Sequence, residues 1–379
     1  MGRRDKRKIR TEFRKNHDSR TRKRDLRRDS GQEGFEDRVT QGERVSGKGK
    51  LTRKRTVIGD TVEDESGGIS FQLEIDESAC LRGRVLSVYG LSSLVEAENG
   101  QKYRCAVRRL LKTLHTDQRH FVAAGDKVWF RPENEEDGVI ERIEPRRGTL
   151  CRTSKGRRHV IVANVDQLLI VASAAEPVLK PNLIDRFIIT AEKAKIRPVI
   201  CINKIDLIEP ADLQPLAGVY GQMGYEILLV SATTGFGTDR LRQLMLGRES
   251  VIAGQSGVGK SSILNAIDPE LALRVREVSE ENQKGRHTTT TAQLIPVVGG
   301  GYVLDTPGIR QFQLWDVIPE EVAGYFRDLR PYINRCRFDD CTHMHEADCA
   351  VKDAVADGRL DARRYESYCQ IFDEPEMAK

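Results

Sequence analysis

No stretch of this sequence is apolar over the ~18 residues that a bilayer-spanning helix needs. Nor does the chain open on the basic, apolar and small-residue regions of a signal peptide. Lys6 stands where an N-myristoylation motif has Ser or Thr. These absences argue against membrane insertion, secretion and lipid anchoring, and the expected compartment is the cytoplasm. The eight cysteines also lack the spacing of a secreted disulfide scaffold. Three fall within 14 residues and Cys80, Cys105, Cys151, Cys201 and Cys369 are scattered, which fits a local metal site in a reducing compartment.

Charge is uneven. Residues 1–60 carry 21 Lys and Arg against 10 Asp and Glu, a net of +11, whereas the remaining 319 residues carry 41 against 47, a net of −6. Such a basic arm suits a polyanion, most often nucleic acid. A solvated spacer fits the composition equally well, and a transit peptide fits less well because the segment is not poor in acids.

At 379 residues the chain should hold two or three domains. Residues 1–70 have few apolar residues and no sustained periodicity, so a disordered tail is expected. From 80 to 150 short strands are expected at Gly83–Tyr89, Asp126–Phe130 and Val139–Ile143, with hairpin turns at Asn99-Gly100 and Asp137-Gly138. That pattern suggests a small β-barrel of OB type. From 155 to 314 strands and helices alternate, beginning with the apolar run Val165–Ala172, which predicts an α/β domain with a mainly parallel sheet. Residues 315–379 read as a small, mostly helical domain with a cysteine-rich insertion.

Gly254-Gln255-Ser256-Gly257-Val258-Gly259-Lys260-Ser261, with Ser262 behind it, is a complete phosphate-binding loop between a predicted strand and helix. Its glycines let backbone N–H groups converge on phosphates, Lys260 reaches the β- and γ-phosphates, and Ser261 offers its hydroxyl to Mg²⁺. Asn203-Lys204-Ile205-Asp206 ends another predicted strand. A carboxylate at Asp206 can accept from the N1–H and exocyclic amine of guanine, a pairing adenine does not offer. Ser231-Ala232 matches the element that supports the guanine O6. Asp305-Thr306-Pro307-Gly308 suits a second switch, with Asp305 on Mg²⁺ through water and the Gly308 N–H at the γ-phosphate. Gly285-Arg286-His287-Thr288-Thr289-Thr290 lies between these motifs and suits a first switch, in which Thr289, or else Thr288, offers Mg²⁺ a hydroxyl.

The guanine motif thus precedes the phosphate loop, the reverse of the usual GTPase order. The domain reads as circularly permuted, and the second switch leads straight into the C-terminal segment. There Cys336, Cys341, His343 and Cys349 supply three thiolates and an imidazole, a closed set for one structural Zn²⁺. His345 and, less aptly, Cys369 are substitute ligands.

Taken together, these motifs in this order resemble the RsgA (YjeQ) GTPases over roughly residues 80–375. The resemblance implies a GTPase that depends on the small ribosomal subunit and acts late in its assembly. It further implies that the barrel and the zinc domain contact ribosomal RNA on either side of the GTPase core. A monomer without membrane contact is expected. Ile309 follows Gly308 where many GTPases place a water-orienting Gln. In the family, the histidine matching His287 is the candidate replacement; it either orients the water or shapes the loop. Two other readings compete: an RNA-binding module in which GTP is mainly structural, and a GTP-dependent metal-delivery protein.

Overall fold

The computed structural model describes residues 6–12, 54–63, 69–73, 75–108, 122–154, 157–271, 292–305 and 317–373. Within the tail, β1 (Lys6–Glu12), β2 (Lys54–Glu63) and β3 (Ile69–Leu73) pair as an antiparallel sheet in the order β1-β2-β3. At these strands the chain departs from the disordered tail that composition predicts; the rest of residues 1–70 lies outside the described residues. The local reason lies in β2, where Thr56, Val57, Ile58, Thr61 and Val62 form a β-branched cluster within the charged sequence.

Five strands form the barrel: β4 (Leu81–Tyr89), β5 (Ser92–Ala97), β6 (Lys102–Val107), β7 (Lys127–Pro132) and β8 (Asp137–Ile143). They pair in the order β4-β5-β6-β8-β7, and β4 pairs with β7 to close the ring. The β6–β8 pair is parallel and the others antiparallel, as in an OB-type barrel. Val85, Val95, Cys105, Phe130 and Ile140 fill its interior. The turn at Asn99-Gly100 lies where the sequence places it, with Gly100 at φ +82°. The turn expected at Asp137-Gly138 does not: both residues belong to β8. The Asn134 side chain accepts from the Glu136 and Asp137 N–H groups, so the chain reverses over 133–136 instead. Gly138 answers to packing, because a Cβ there would lie 3.0 Å from both the Arg131 carbonyl oxygen and Phe130.

A hairpin of β9 (Leu150–Ser154) and β10 (Arg157–Val162) follows. The chain then enters the α/β unit through β11 (Gln167–Ser173), α1 (Pro181–Lys193), β12 (Arg197–Asn203), α2 (Gln214–Gln222) and β13 (Glu226–Leu229). It continues through α3 (Thr238–Met245), β14 (Glu249–Ala253), α4 (Lys260–Ile267), β15 (Gln293–Pro296) and β16 (Tyr302–Asp305). The spatial order is β13-β12-β11-β14-β16-β15, parallel except for β15. Along β11 the side chains alternate between two cores. Leu168 and Ile170 face α1 and α2 (Ile184, Phe187, Tyr220), while Leu169 and Val171 face α3 and α4 (Leu241, Ile263, Leu264). Burial on both faces explains the unbroken apolar run in the sequence. A chain starting at β14 would lay down the central strand first, then β15 and β16, then walk outward through β11, β12 and β13. Here it starts at β11, and that is the permutation.

Helices α5 (Pro319–Tyr325), α6 (Arg330–Ile333), α7 (Ala350–Ala356) and α8 (Ala362–Phe372) complete the described chain. Phe326, Leu329, Val351, Leu360, Tyr368 and Ile371 form their core, and Ile189 of α1 packs into it. No helix among the described residues is long and apolar enough to cross a membrane.

Candidate nucleotide and metal sites

The phosphate-binding loop joins β14 to α4. Gly254, Gly257 and Gly259 adopt φ of +148°, +83° and +90°. A Cβ on Gly254 would lie 2.1 Å from the Val171 carbonyl oxygen, and one on Gly259 would lie 2.4 Å from the Asn203 amide nitrogen. Glycine is thus required twice, by backbone angle and by close approach. Val258 fixes the loop's centre by burial in the core. The Lys260 ammonium donates to the carbonyls of Gly254 and Gln255, each at 2.8 Å. Gln255 and Gly257 are half-buried and Ser256 is exposed, while Ser261 and Ser262 are half-buried in the first turn of α4.

Asn203, fully buried at the end of β12, is the joint between motifs. Its Nδ2 donates to the Val258 carbonyl at 2.8 Å, and its Oδ1 accepts from the Ala232 N–H at 3.2 Å. One side chain therefore ties the phosphate loop to the Ser231-Ala232 element. Buried Ser231 donates from Oγ to Asp206 at 2.6 Å, aiming an exposed carboxylate. Ile205 anchors the motif in the core. Lys204 takes left-handed φ of +63°, and its ammonium donates to the Glu176 carbonyl at 2.5 Å. Nothing in the sequence points to Glu176, because a backbone carbonyl leaves no residue-type signal.

Asn203, Lys204, Ile205, Asp206, Ser231, Ala232 and the loop Gly254–Ser262 are thus gathered at the C-terminal ends of β12, β13 and β14, where α/β sheets bind ligands. Backbone N–H groups at a helix start and a carboxylate set beside them suit a phosphorylated guanine nucleoside. Asp305 ends β16, beside β14. The first-switch residues, including His287, Thr288 and Thr289, lie outside the described residues, as do Gly308 and Ile309.

At the other end of the chain, one ligand atom from each of Cys336, Cys341, His343 and Cys349 lies within 4.8 Å of the others. The Cys336 Sγ is 3.4 Å from His343 Nδ1 and 3.8 Å from Cys349 Sγ, and Cys349 Sγ is 3.5 Å from the same nitrogen. A tetrahedron with Zn–S near 2.3 Å places its corners about 3.8 Å apart, so the donor set fits one zinc. Burial depresses the His343 pKa, favouring the neutral imidazole that ligates. His345 and Cys369 are not part of this group. Three side chains that the sequence left unremarked shape the loop. The Glu346 carboxylate accepts from the Thr342 hydroxyl and N–H and from the Met344 and His345 N–H groups; the Thr342 hydroxyl leads in holding it down at about 2. Tyr365 and Tyr368 of α8 donate to the carbonyls of His343 and Thr342 at 2.7 and 2.6 Å.

A sequence profile of the RsgA GTPase family matches residues 143–315. The small ribosomal subunit biogenesis GTPase RsgA of Sodalis glossinidius is 41% identical over 302 residues, covering 77% of this chain and 85% of that protein. The chain belongs to the RsgA GTPase family. Its relative in Thermotoga petrophila, another small ribosomal subunit biogenesis GTPase RsgA, is 41% identical over 297 residues, or 77% of this chain and 96% of that one. Solved RsgA-type structures agree. The crystal structure of YjeQ from Thermotoga maritima is similar with a TM-score of 0.65 and 36% identity, over 79% of this chain and 99% of that chain. YloQ, a circularly permuted GTPase, gives 0.62 and 31%, over 81% and 98%. As an RsgA family member the chain is a GTP hydrolase with a permuted GTPase fold, in keeping with the loop and guanine motif described above.

Proposed function

We propose that the protein is an assembly GTPase of the small ribosomal subunit. In its GTP form it docks on the immature subunit and its ribosomal RNA, and hydrolysis, stimulated by the subunit, releases it. The observation that carries this reading is the Asn203 joint, which links a guanine-selecting carboxylate to a phosphate-binding loop in a chain of RsgA family membership. Asp206 reads the base, Lys204 covers its face, Ser231 and Ala232 support O6, and Gly254–Ser262 hold the phosphates. Ser261 and Thr289 would hold Mg²⁺, with Asp305 as a further acidic group for it, and the Gly308 N–H would sense the γ-phosphate. Mg²⁺ supplies charge neutralisation across the phosphates.

For the attacking water, His287 is the candidate group in a chain that has Ile309 after Gly308. One structural Zn²⁺ is held by Cys336, Cys341, His343 and Cys349, and its role is to fix the C-terminal helices. We assign residues 1–70 to the basic tail, 80–150 to the barrel, 155–314 to the GTPase unit and 315–379 to the zinc unit. The protein works as a cytoplasmic monomer. Co-sedimentation with purified small subunits tests the docking cycle. Retention with a non-hydrolysable GTP analogue and release with GDP is expected; equal retention in both states would sink it.

A further inference from the structure

Beside the apolar contacts of Leu86 and Leu94 with the core of the α/β unit, the barrel meets the GTPase sheet through a polar joint. Ser87 of β4 pairs with Gln293 at the start of β15, so the barrel and the α/β sheet form one continuous eleven-stranded sheet. Three residues earlier on β4, the Arg84 guanidinium reaches two strands at once. It is 2.8 Å from Glu249, which opens β14, and it stacks 4.5 Å from the ring centre of Tyr302, which opens β16. The Tyr302 hydroxyl then donates to Glu96 of β5 at 2.5 Å. β4 carries a bulge here, its register slipping between Val85 and Ser87. Bulges re-aim side chains and locally twist a strand.

The strands gripped by this joint are those that lead to the phosphate side of the site. β14 delivers Gly254, β16 ends on Asp305, and β15 follows the first-switch segment. The grip is also incompletely paired. Arg84 Nε, Glu249 Oε2 and Ser87 Oγ are buried without a hydrogen-bond partner among the described residues. Each atom left unpaired in a buried network weakens the arrangement it sits in, so this joint is held less firmly than a fully paired one.

We propose that Arg84, with Glu96 and Tyr302, is the positioning device through which the barrel sets the β14 and β16 strands. Subunit contact at the barrel thereby becomes faster hydrolysis at the nucleotide. This rests on the subunit-stimulated reading above. Arg84 touches neither nucleotide nor metal; it acts through the strands.

The test compares full-length wild type with Arg84→Met and with the milder Tyr302→Phe, which keeps the ring under Arg84 but removes the bond to Glu96. GTP turnover is measured alone and with purified small subunits, and docking is followed by co-sedimentation. The expected result is basal turnover and docking within about twofold of wild type, with the stimulation factor reduced at least tenfold in Arg84→Met and less in Tyr302→Phe. Full stimulation in both variants overturns the proposal alone, as does a basal rate that falls in proportion to the stimulated one, since that marks a merely structural joint. A wild type that docks yet shows no stimulation overturns the underlying reading, and the proposal with it.

Discussion

Asp206 and Glu249 show how neighbours set a carboxylate's task. The Asp206 oxygen is aimed by Ser231 and stands in the open, ready to accept from two donors on a guanine edge. Asp206→Asn replaces half of that acceptor with an amide donor facing donors. GDP affinity is expected to fall about a hundredfold or more, with partial recovery for a base carrying a carbonyl in place of the amine. Fluorescent-nucleotide titration reads both, and unchanged GDP binding contradicts the assignment. Glu249 is the opposite case. Burial raises its pKa from 4.5 to about 7, with Arg84 offsetting only part of that rise. The folded protein therefore holds an extra proton between pH 4.5 and 7, and this group's contribution to stability declines as pH rises through that window. Glu249→Gln lacks the titration. In denaturant melts, wild type should lose stability relative to the variant between pH 5 and pH 8. A difference independent of pH contradicts the burial argument.

Helix α8 is the element whose role the sequence conceals most. Its N-cap, Asp361, accepts from the Arg363 N–H at 2.9 Å. Its other partners leave no local signal, since they are distant in the chain. Arg364, almost fully buried, donates to Asp328 at 2.9 and 3.1 Å and to Asp185 of α1, which also accepts from Tyr220 at 2.7 Å. The same helix sends Tyr365 and Tyr368 to the metal-ligand loop. Arg364→Met should cost about 3–5 kcal/mol by stranding buried carboxylates, and adding Asp185→Asn should recover part of it. A denaturation cycle measures this; a loss below about 1 kcal/mol contradicts a paired, buried role. The ligand loop itself was readable as four donor residues of two types close in sequence. Metal analysis should find one zinc per chain, and Cys349→Ser should lower both the zinc content and the thermal midpoint. Full stability with no bound metal contradicts the zinc assignment. Elsewhere sequence erred by local habit. Asp137-Gly138 resembles a turn, but a Cβ at Gly138 would crowd Phe130 and the Arg131 carbonyl oxygen, each at 3.0 Å.

At the scale of the molecule, motif order made the permutation legible before any strand was placed. The sheet then gave it physical form, with β14 in the middle though it comes fourth in chain order within the unit. What remained hidden was the continuity of barrel and sheet through Ser87 and Gln293, because strand pairing across 206 residues leaves no local pattern. That continuity is mechanical: the barrel and the strands that carry the phosphate-binding loop belong to one sheet. The most direct test of the central claim is GTP turnover by the full chain, alone and with purified small ribosomal subunits, large subunits or free RNA. The account predicts slow basal hydrolysis of GTP that rises at least tenfold with small subunits only. Turnover that ignores small subunits, or responds equally to any RNA, contradicts it.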